Sequence, residues 1–350
     1  MYNINNKNIG LKLVYWWLIT CCFFVITMVF IGGLTRLTDS GLSIVEWNIF
    51  SGIFPPLMNS DWIELFEKYK LFPEFKLVNK NINLNEFKFI FWMEYIHRIW
   101  GRLIFLIFLI PLIIFLKKKF IPKKLKKHCL VILLLILLQG FFGWYMVKSG
   151  LIDIPDVSHY RLSVHLTMAF IIYGYLLLVT FSIYYLKKNK KYSKKKNNNF
   201  IYINTILICL ILITVFSGGM VAGLDAGLVY NTFPLMGDTF VPLDILHLTP
   251  KFKNLFENPV TVQFGHRILG ITTFFLSLII WLYTKIYNFP LIIKKKVNIL
   301  LFVVLLQVSF GIATLLSYVS LPVAIIHQSG ALILYTISIW ILKSLPFVAK

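Results

Sequence analysis

The sequence predicts an all-α integral membrane protein: eight transmembrane helices in two pseudo-repeated four-helix bundles, with both termini on the inner side. Three observations predict it. Apolar runs of about 20 residues, the length a helix needs to cross a bilayer core, recur eight times along the 350 residues. Lysines gather in alternate connections, and motifs return at nearly constant offsets. Composition agrees, with 58% hydrophobic and 14% charged residues where soluble domains carry about 25% charged. The net charge of +21 would suit a nucleic-acid footprint. Charge and apolar runs occupy separate segments, however, which excludes a soluble basic protein and nucleic acid as a partner.

The runs fall at about 13–33, 92–116, 129–147, 164–186, 200–221, 265–284, 297–317 and 322–342. Lipid cannot satisfy a backbone, so runs of this length are helices. The first is too long for a signal-peptide core and lacks a small-residue cleavage site, so it reads as a retained span. The connection after span two carries Lys117, Lys118, Lys119, Lys123, Lys124, Lys126 and Lys127. Span four is followed by Lys187 through Lys196, and span six by Lys285, Lys294, Lys295 and Lys296. The alternate connections are mixed, short, acidic or uncharged, so the Lys-rich face is inside. Cys21, Cys22, Cys129 and Cys209 lie in or beside spans, which excludes a disulfide framework in the outer loops.

The halves, 1–190 and 191–350, align. Gly32-Gly33 with Asp39-Ser40-Gly41-Leu42 matches Gly218-Gly219 with Asp225-Ala226-Gly227-Leu228 at an offset of 186. His97-Arg98 matches His266-Arg267 at 169, Gln139 and Gly143 match Gln307 and Gly311 at 168, and His165 matches His327 at 162. Equal span number and orientation make this a parallel repeat.

Ionisable residues inside spans are functional candidates because lipid penalises them. Of seven histidines, His128 suits an interfacial helix end, His247 an outer loop, and His159 a supporting role beside a site. His97, His165, His266 and His327 differ. Each lies about 24–33 Å above the inner end of its span at 1.5 Å per residue, so the four share one depth near the outer edge. The residue four positions on, on the same helix face, is small every time: Gly101, Ala169, Gly270 and Ala331. Facing pairs of such helices could clamp a haem through axial imidazoles. Histidines packed at helix contacts are the plainer alternative, which four repeat-related positions disfavour. Glu94 sits one turn before His97, but its repeat counterpart is Gln263. Only the first half therefore has a carboxylate beside its histidines, which suggests a catalytic first site and an electron-holding second. Arg98 and Arg267, with Arg102 and Arg161 close by, are candidates for propionate contacts; anchoring to lipid headgroups is the alternative.

These residues, over about 13–342, resemble the heme A synthase family, which serves assembly of aa3-type cytochrome oxidase. The likeness rests on Gly32-Gly33-Leu34-Thr35-Arg36-Leu37-Thr38, Asp39-Ser40-Gly41-Leu42-Ser43, Glu94-Tyr95-Ile96-His97-Arg98 with Gly101-Arg102, and Gln139-Gly140 with Gly143. His159, His165, the stretch from Gly218-Gly219 through Asn231-Thr232-Phe233-Pro234-Leu235-Met236, Gly265-His266-Arg267 and His327-Gln328 complete it. The resemblance implies an oxidoreductase converting the C8 methyl of heme O to the formyl of heme A, through an alcohol and a gem-diol. It implies Glu94 as the essential acid, His97 and His165 on the substrate haem iron, and His266 and His327 on the iron of a heme b cofactor. It further implies a heme O synthase and an electron-transfer partner, allows a homo-oligomer, and places the chain in a bacterial cytoplasmic membrane ahead of a mitochondrial inner one. The outer-loop cysteine pair of one family subset is absent, so the chain resembles the other subset. A b-type cytochrome subunit that only carries electrons is the alternative; a repeat-built transporter would keep its polar residues nearer the midplane.

Overall fold

The computed structural model describes residues 2–46, 54–150, 157–187 and 198–345. Eight of its helices are long and apolar enough to cross a membrane. They are α1 (Tyr2–Leu37), α4 (Leu84–Lys117), α5 (Lys123–Gly150), α6 (His159–Lys187), α7 (Asn198–Gly223), α9 (Pro259–Ile286), α10 (Leu291–Leu316) and α11 (Leu321–Ser344). Three shorter ones, α2 (Asn59–Lys70), α3 (Pro73–Leu77) and α8 (Asn254–Glu257), belong to the two long connections. The lysines expected between 188 and 196, and the boundary set at 190, lie outside the described residues.

The long helices overrun the apolar segments because their caps stand outside them. α4 begins at Asn83, whose side chain accepts from the Asn85 and Glu86 amides while Glu86 reaches back to the Asn83 amide, a capping box. α9 begins at Asn258, which caps Val260 and Thr261, with Pro259 in the first turn, where its missing N–H costs nothing.

In the first half α1 packs on α4 and α6, and α5 packs on α4 and α6; in the second, α7 packs on α9 and α11, and α10 on α9 and α11. The halves meet through α6 on α7 and through α11 on α1 and α6. One apolar cluster holds residues of both halves, from Leu18 and Phe108 to Leu300 and Tyr335. Ile104, Phe108 and Leu112 form the inward stripe of α4, spaced four apart as a helix face requires. Leu103, Leu106, Ile110 and Ile113 stay exposed on its other side, as a lipid-facing surface would. Pro111 lies inside α4 and has no N–H for the carbonyl of Ile107. The indole of Trp17 supplies the missing donor at 2.9 Å, so α1 repairs α4 where water could not.

Polar side chains join helices across the apolar interior. The Asn204 amide donates to the Ser338 carbonyl at 3.0 Å, and the Tyr173 and Thr336 hydroxyls pair at 2.7 Å. Gln328 donates to the Val29 carbonyl at 2.7 Å, linking α11 to α1. Above α4 an aromatic dome forms from Trp62, Phe66 and Tyr69 of α2 against Phe87 and Phe91. Those α2 residues recur at helical spacing, a signal present in the sequence but short beside the spans.

Candidate functional site

Each of the four span histidines rests on a glycine of a neighbouring helix. A Cβ at Gly32 of α1 would stand 3.5 Å from Cε1 of His97, at Gly143 of α5 3.1 Å from His165, at Gly218 of α7 3.2 Å from His266, and at Gly311 of α10 2.9 Å from His327. A larger residue would push the ring away at three of the four. Two of the small residues one turn below a histidine leave room too. A Cβ at Gly270 would meet nothing within 4 Å, and at Gly101 only Met28. Each histidine is half-buried.

The histidines come together as two pairs. His266 and His327 stand with ring centres 6.5 Å apart and planes at 85°. A metal–imidazole bond is about 2 Å, so an iron held by both rings needs about 6 Å between their centres, and this pair fits one. His97 and His165 lie close enough to act on one another electrostatically. His327 Nδ1 is 3.2 Å from the Gln307 carbonyl oxygen; donating there leaves Nε2 with the lone pair a metal requires. The amides of Gln139 and Gln307 donate to the carbonyls of His165 and His327 at 3.0 and 2.9 Å. The buried Nδ1 of His165 and of His266, and Oε1 of Gln139 and of Gln307, have no hydrogen-bond partner. Among the described residues no group of three or more His, Cys, Asp or Glu could hold a metal ion.

Above each pair an arginine holds the adjoining connection. Arg98 donates to the carbonyls of Ile44 and Glu46 at 2.9 and 3.2 Å; Arg267 donates to those of Tyr230 and Thr232 at 2.9 and 3.0 Å. Beneath them the halves diverge. Glu94, 3% exposed, receives the Ser43 hydroxyl and the Ile44 amide on Oε2, each at 2.7 Å. Its Oε1 receives Arg98 Nε at 3.0 Å and Nη2 at 2.6 Å. Gln263, also 3% exposed, donates instead to the Tyr230 carbonyl at 3.1 Å. The charged clamp thus belongs to the first half. Asp39 and Asp225, matched in the repeat, both adopt left-handed backbone at φ 47° and 48°, which Asp tolerates better than most residues. Arg36 reaches both, at 2.6 and 3.0 Å.

A cleft of 380 Å³ opens beside the first site, lined by Glu46, Tyr95, Arg98 and Arg102 among others. Arg161 stacks instead on Tyr145, 4.5 Å from its ring centre. His159 buries an Nε2 without a hydrogen-bond partner, and its backbone abuts Gly223 of α7. Exposed His247 is 3.0 Å from the Asn258 amide, and exposed His128 is 2.7 Å from the Tyr175 hydroxyl. The glycine seats were the residues missed as site elements. All four stand in the repeated motifs, but hydropathy and spacing give no sign that an imidazole lies over them.

Eight membrane-length helices define a multi-pass membrane protein whose four span histidines stand as two neighbouring pairs. The family model described as cytochrome oxidase assembly protein matches residues 15–339. The chain is 46% identical over 326 residues to "Heme A synthase" of Nitrosospira multiformis, covering 93% of this chain and 91% of that one. It is 44% identical over 331 residues to "Heme A synthase" of Rickettsia bellii, covering 93% and 96%. It is 41% identical over 340 residues to "Heme A synthase COX15" of Homo sapiens, covering 95% and 83%. The chain belongs to the cytochrome oxidase assembly protein family.

Proposed function

We propose that the chain is a heme A synthase, an oxidoreductase that converts the C8 methyl of heme O to a formyl group for aa3-type cytochrome oxidase. The observation that carries the reading is the doubled histidine pair, each imidazole on its own glycine, with a carboxylate in the first half alone. His97 and His165 hold the substrate haem, and His266 and His327 hold heme b. When bound, heme b supplies one-electron exchange with the substrate site.

The chain's own residues position and exclude. Gly32, Gly143, Gly218 and Gly311 set the depth of each imidazole. The Glu94–Arg98 ion pair fastens the loop bearing Ser43 and Ile44 over the first site, where Gln263 of the second half offers no carboxylate. Arg98 and Arg102, at the cleft beside this site, suit haem propionates, with Arg267 in the same part above the second pair. The Lys-rich ends set both termini on the inner side of a bacterial cytoplasmic membrane. A heme O synthase supplies substrate, an electron-transfer partner closes the redox cycle, and a homo-oligomer is compatible with the exposed faces.

A b-type cytochrome subunit that only transfers electrons is the second reading. One observation favours it: four donors saturate the Glu94 carboxylate, as a purely structural acid would require. Expression with a heme O synthase, followed by haem extraction and chromatography, separates the two. Heme A supports the synthase, and unchanged haem alone supports the carrier.

A further inference from the structure

Each Gly-Gly doublet stands where the two halves meet. Gly32 of α1 seats His97, and its neighbour Gly33 faces α11 of the other half. A Cβ at Gly33 would stand 2.7 Å from Nε2 and 2.8 Å from Oε1 of Gln328. Gly218 of α7 seats His266, and Gly219 faces α6, where a Cβ would stand 2.8 Å from Cα of Ser163. Gln328 adjoins His327, and Ser163 lies two residues before His165. Each doublet therefore bears on a histidine of its own pair and on the helix that carries a histidine of the other pair.

The two junctions are not alike. At α7 two helix backbones close directly, as small residues allow within a membrane. At α1 the Gln328 amide fills the gap and donates to the Val29 carbonyl at 2.7 Å, one turn before Gly33. At the repeat offset of 162 the residue matching Gln328 is Leu166, which has nothing to donate. Packing alone needs no amide, as the α6–α7 junction shows, and an amide inside a bundle costs free energy unless it is bonded. A second tie is equally one-sided. Arg36, one turn outward from Gly32, donates to the Ala222 carbonyl at 2.7 Å and to Asp225 at 3.0 Å. Ala222 is its repeat counterpart at the offset of 186, and stands one turn outward from Gly218. Both ties join α1 to the second half beside the histidine seats.

We propose that Gln328, seated on Gly33, and Arg36 are positioning residues that fix the spacing of the two histidine pairs, and with it the rate of electron exchange between them. This rests on the reading of both pairs as haem-holding. Exchange oxidises the iron at one pair as it reduces the iron at the other, and its rate falls steeply as their separation grows. Gln328 holds α11 against α1 at the level of the rings, and Arg36 holds the outer ends of α1 and α7 together.

The test uses the full-length protein in nanodiscs with haem at both pairs. Pulsed paramagnetic resonance reads the separation of the two ferric irons. Flash reduction with a ruthenium dye reads electron exchange, at wavelengths where the two haems differ. Gln328→Leu and Arg36→Gln should keep both low-spin spectra, shift or broaden the iron–iron distance, and slow exchange severalfold. Gly33→Ala should do the same by displacing the Gln328 amide. In a Gln328→Ala background it should do little more, because that amide is gone, and this pair of variants serves if Gln328→Leu folds poorly. Distance and exchange unchanged in Gln328→Leu or in Arg36→Gln, or additive effects of Gly33→Ala and Gln328→Ala, overturn the proposal. Loss of one haem spectrum from either tie variant overturns it too, since the residue would then belong to a single site. Wild-type protein that fails to bind haem at both pairs overturns the two-pair reading instead. Wild-type protein that binds both without making heme A from heme O overturns the synthase reading and leaves the spacing result standing.

Discussion

Arg98 meets a single oxygen of Glu94 with two of its nitrogens, Nε at 3.0 Å and Nη2 at 2.6 Å. The other oxygen is left to Ser43 and the Ile44 amide. The carboxylate is therefore the joint between α4 and the loop above the first histidine pair. A hydrogen bond to a charged group is worth about 1.5–3 kcal/mol. Glu94→Gln should keep haem bound, speed hydrogen exchange at the Ile44 amide by about tenfold or more, and stall formation of heme A. Normal heme A output from this variant would remove Glu94 from the reaction.

The glycine seats make a graded prediction. Gly311→Ala brings a methyl to 2.9 Å from the His327 ring, whereas Gly32→Ala stays at 3.5 Å from His97, an ordinary contact distance. Gly311→Ala should shift or abolish the low-spin b-type spectrum of the second pair, as His266→Ala should, while Gly32→Ala should leave the haem spectrum of the first pair intact. Absorption and paramagnetic resonance spectra of the purified variants decide it. Equal effects from both would mean that the seats do not set the imidazoles.

The repair of α4 by α1 can be dissected by a double-mutant cycle. Trp17→Phe leaves the Ile107 carbonyl, orphaned by Pro111, without its donor, at a cost of about 1–2 kcal/mol within a membrane. Pro111→Ala restores the backbone N–H, so Trp17→Phe should cost clearly less in that background. Denaturant or thermal unfolding in detergent measures both. Additive effects would mean the indole bond carries no such role.

Stability should also depend on pH through Glu74 of α3, whose carboxyl is pushed by burial from the ordinary 4.5 up to about 8 in the fold. Between these values the unfolded chain has released the proton and the folded chain still holds it. Stability is therefore full below about 4.5 and declines as pH rises toward about 8, by at most about 1.4 kcal/mol per pH unit. Glu74→Gln should flatten this slope, read as thermal midpoint against pH. A parallel slope in the variant would locate the dependence elsewhere.

Hydropathy and lysine placement suffice for eight spans because each is a property of one segment and one solvent. The histidines were legible for the same reason: an imidazole in an apolar run is conspicuous where it stands, and the Glu94–Gln263 contrast needs only alignment of the halves. Relations between helices are another matter, since they depend on how each helix is rotated and how closely two backbones approach. Tertiary packing decided that Gly311 seats His327, that Trp17 serves the carbonyl freed by Pro111, and that Gln328 crosses to Val29. It also decided that Glu94 is saturated by the loop above it while Glu74, remote in sequence and unremarkable in pattern, is buried near it without a full set of partners. The spans and their histidines were thus determined by the sequence alone, through local solvation. What seats each ring, and which buried acid keeps an unpartnered oxygen, was decided only when the helices closed on one another.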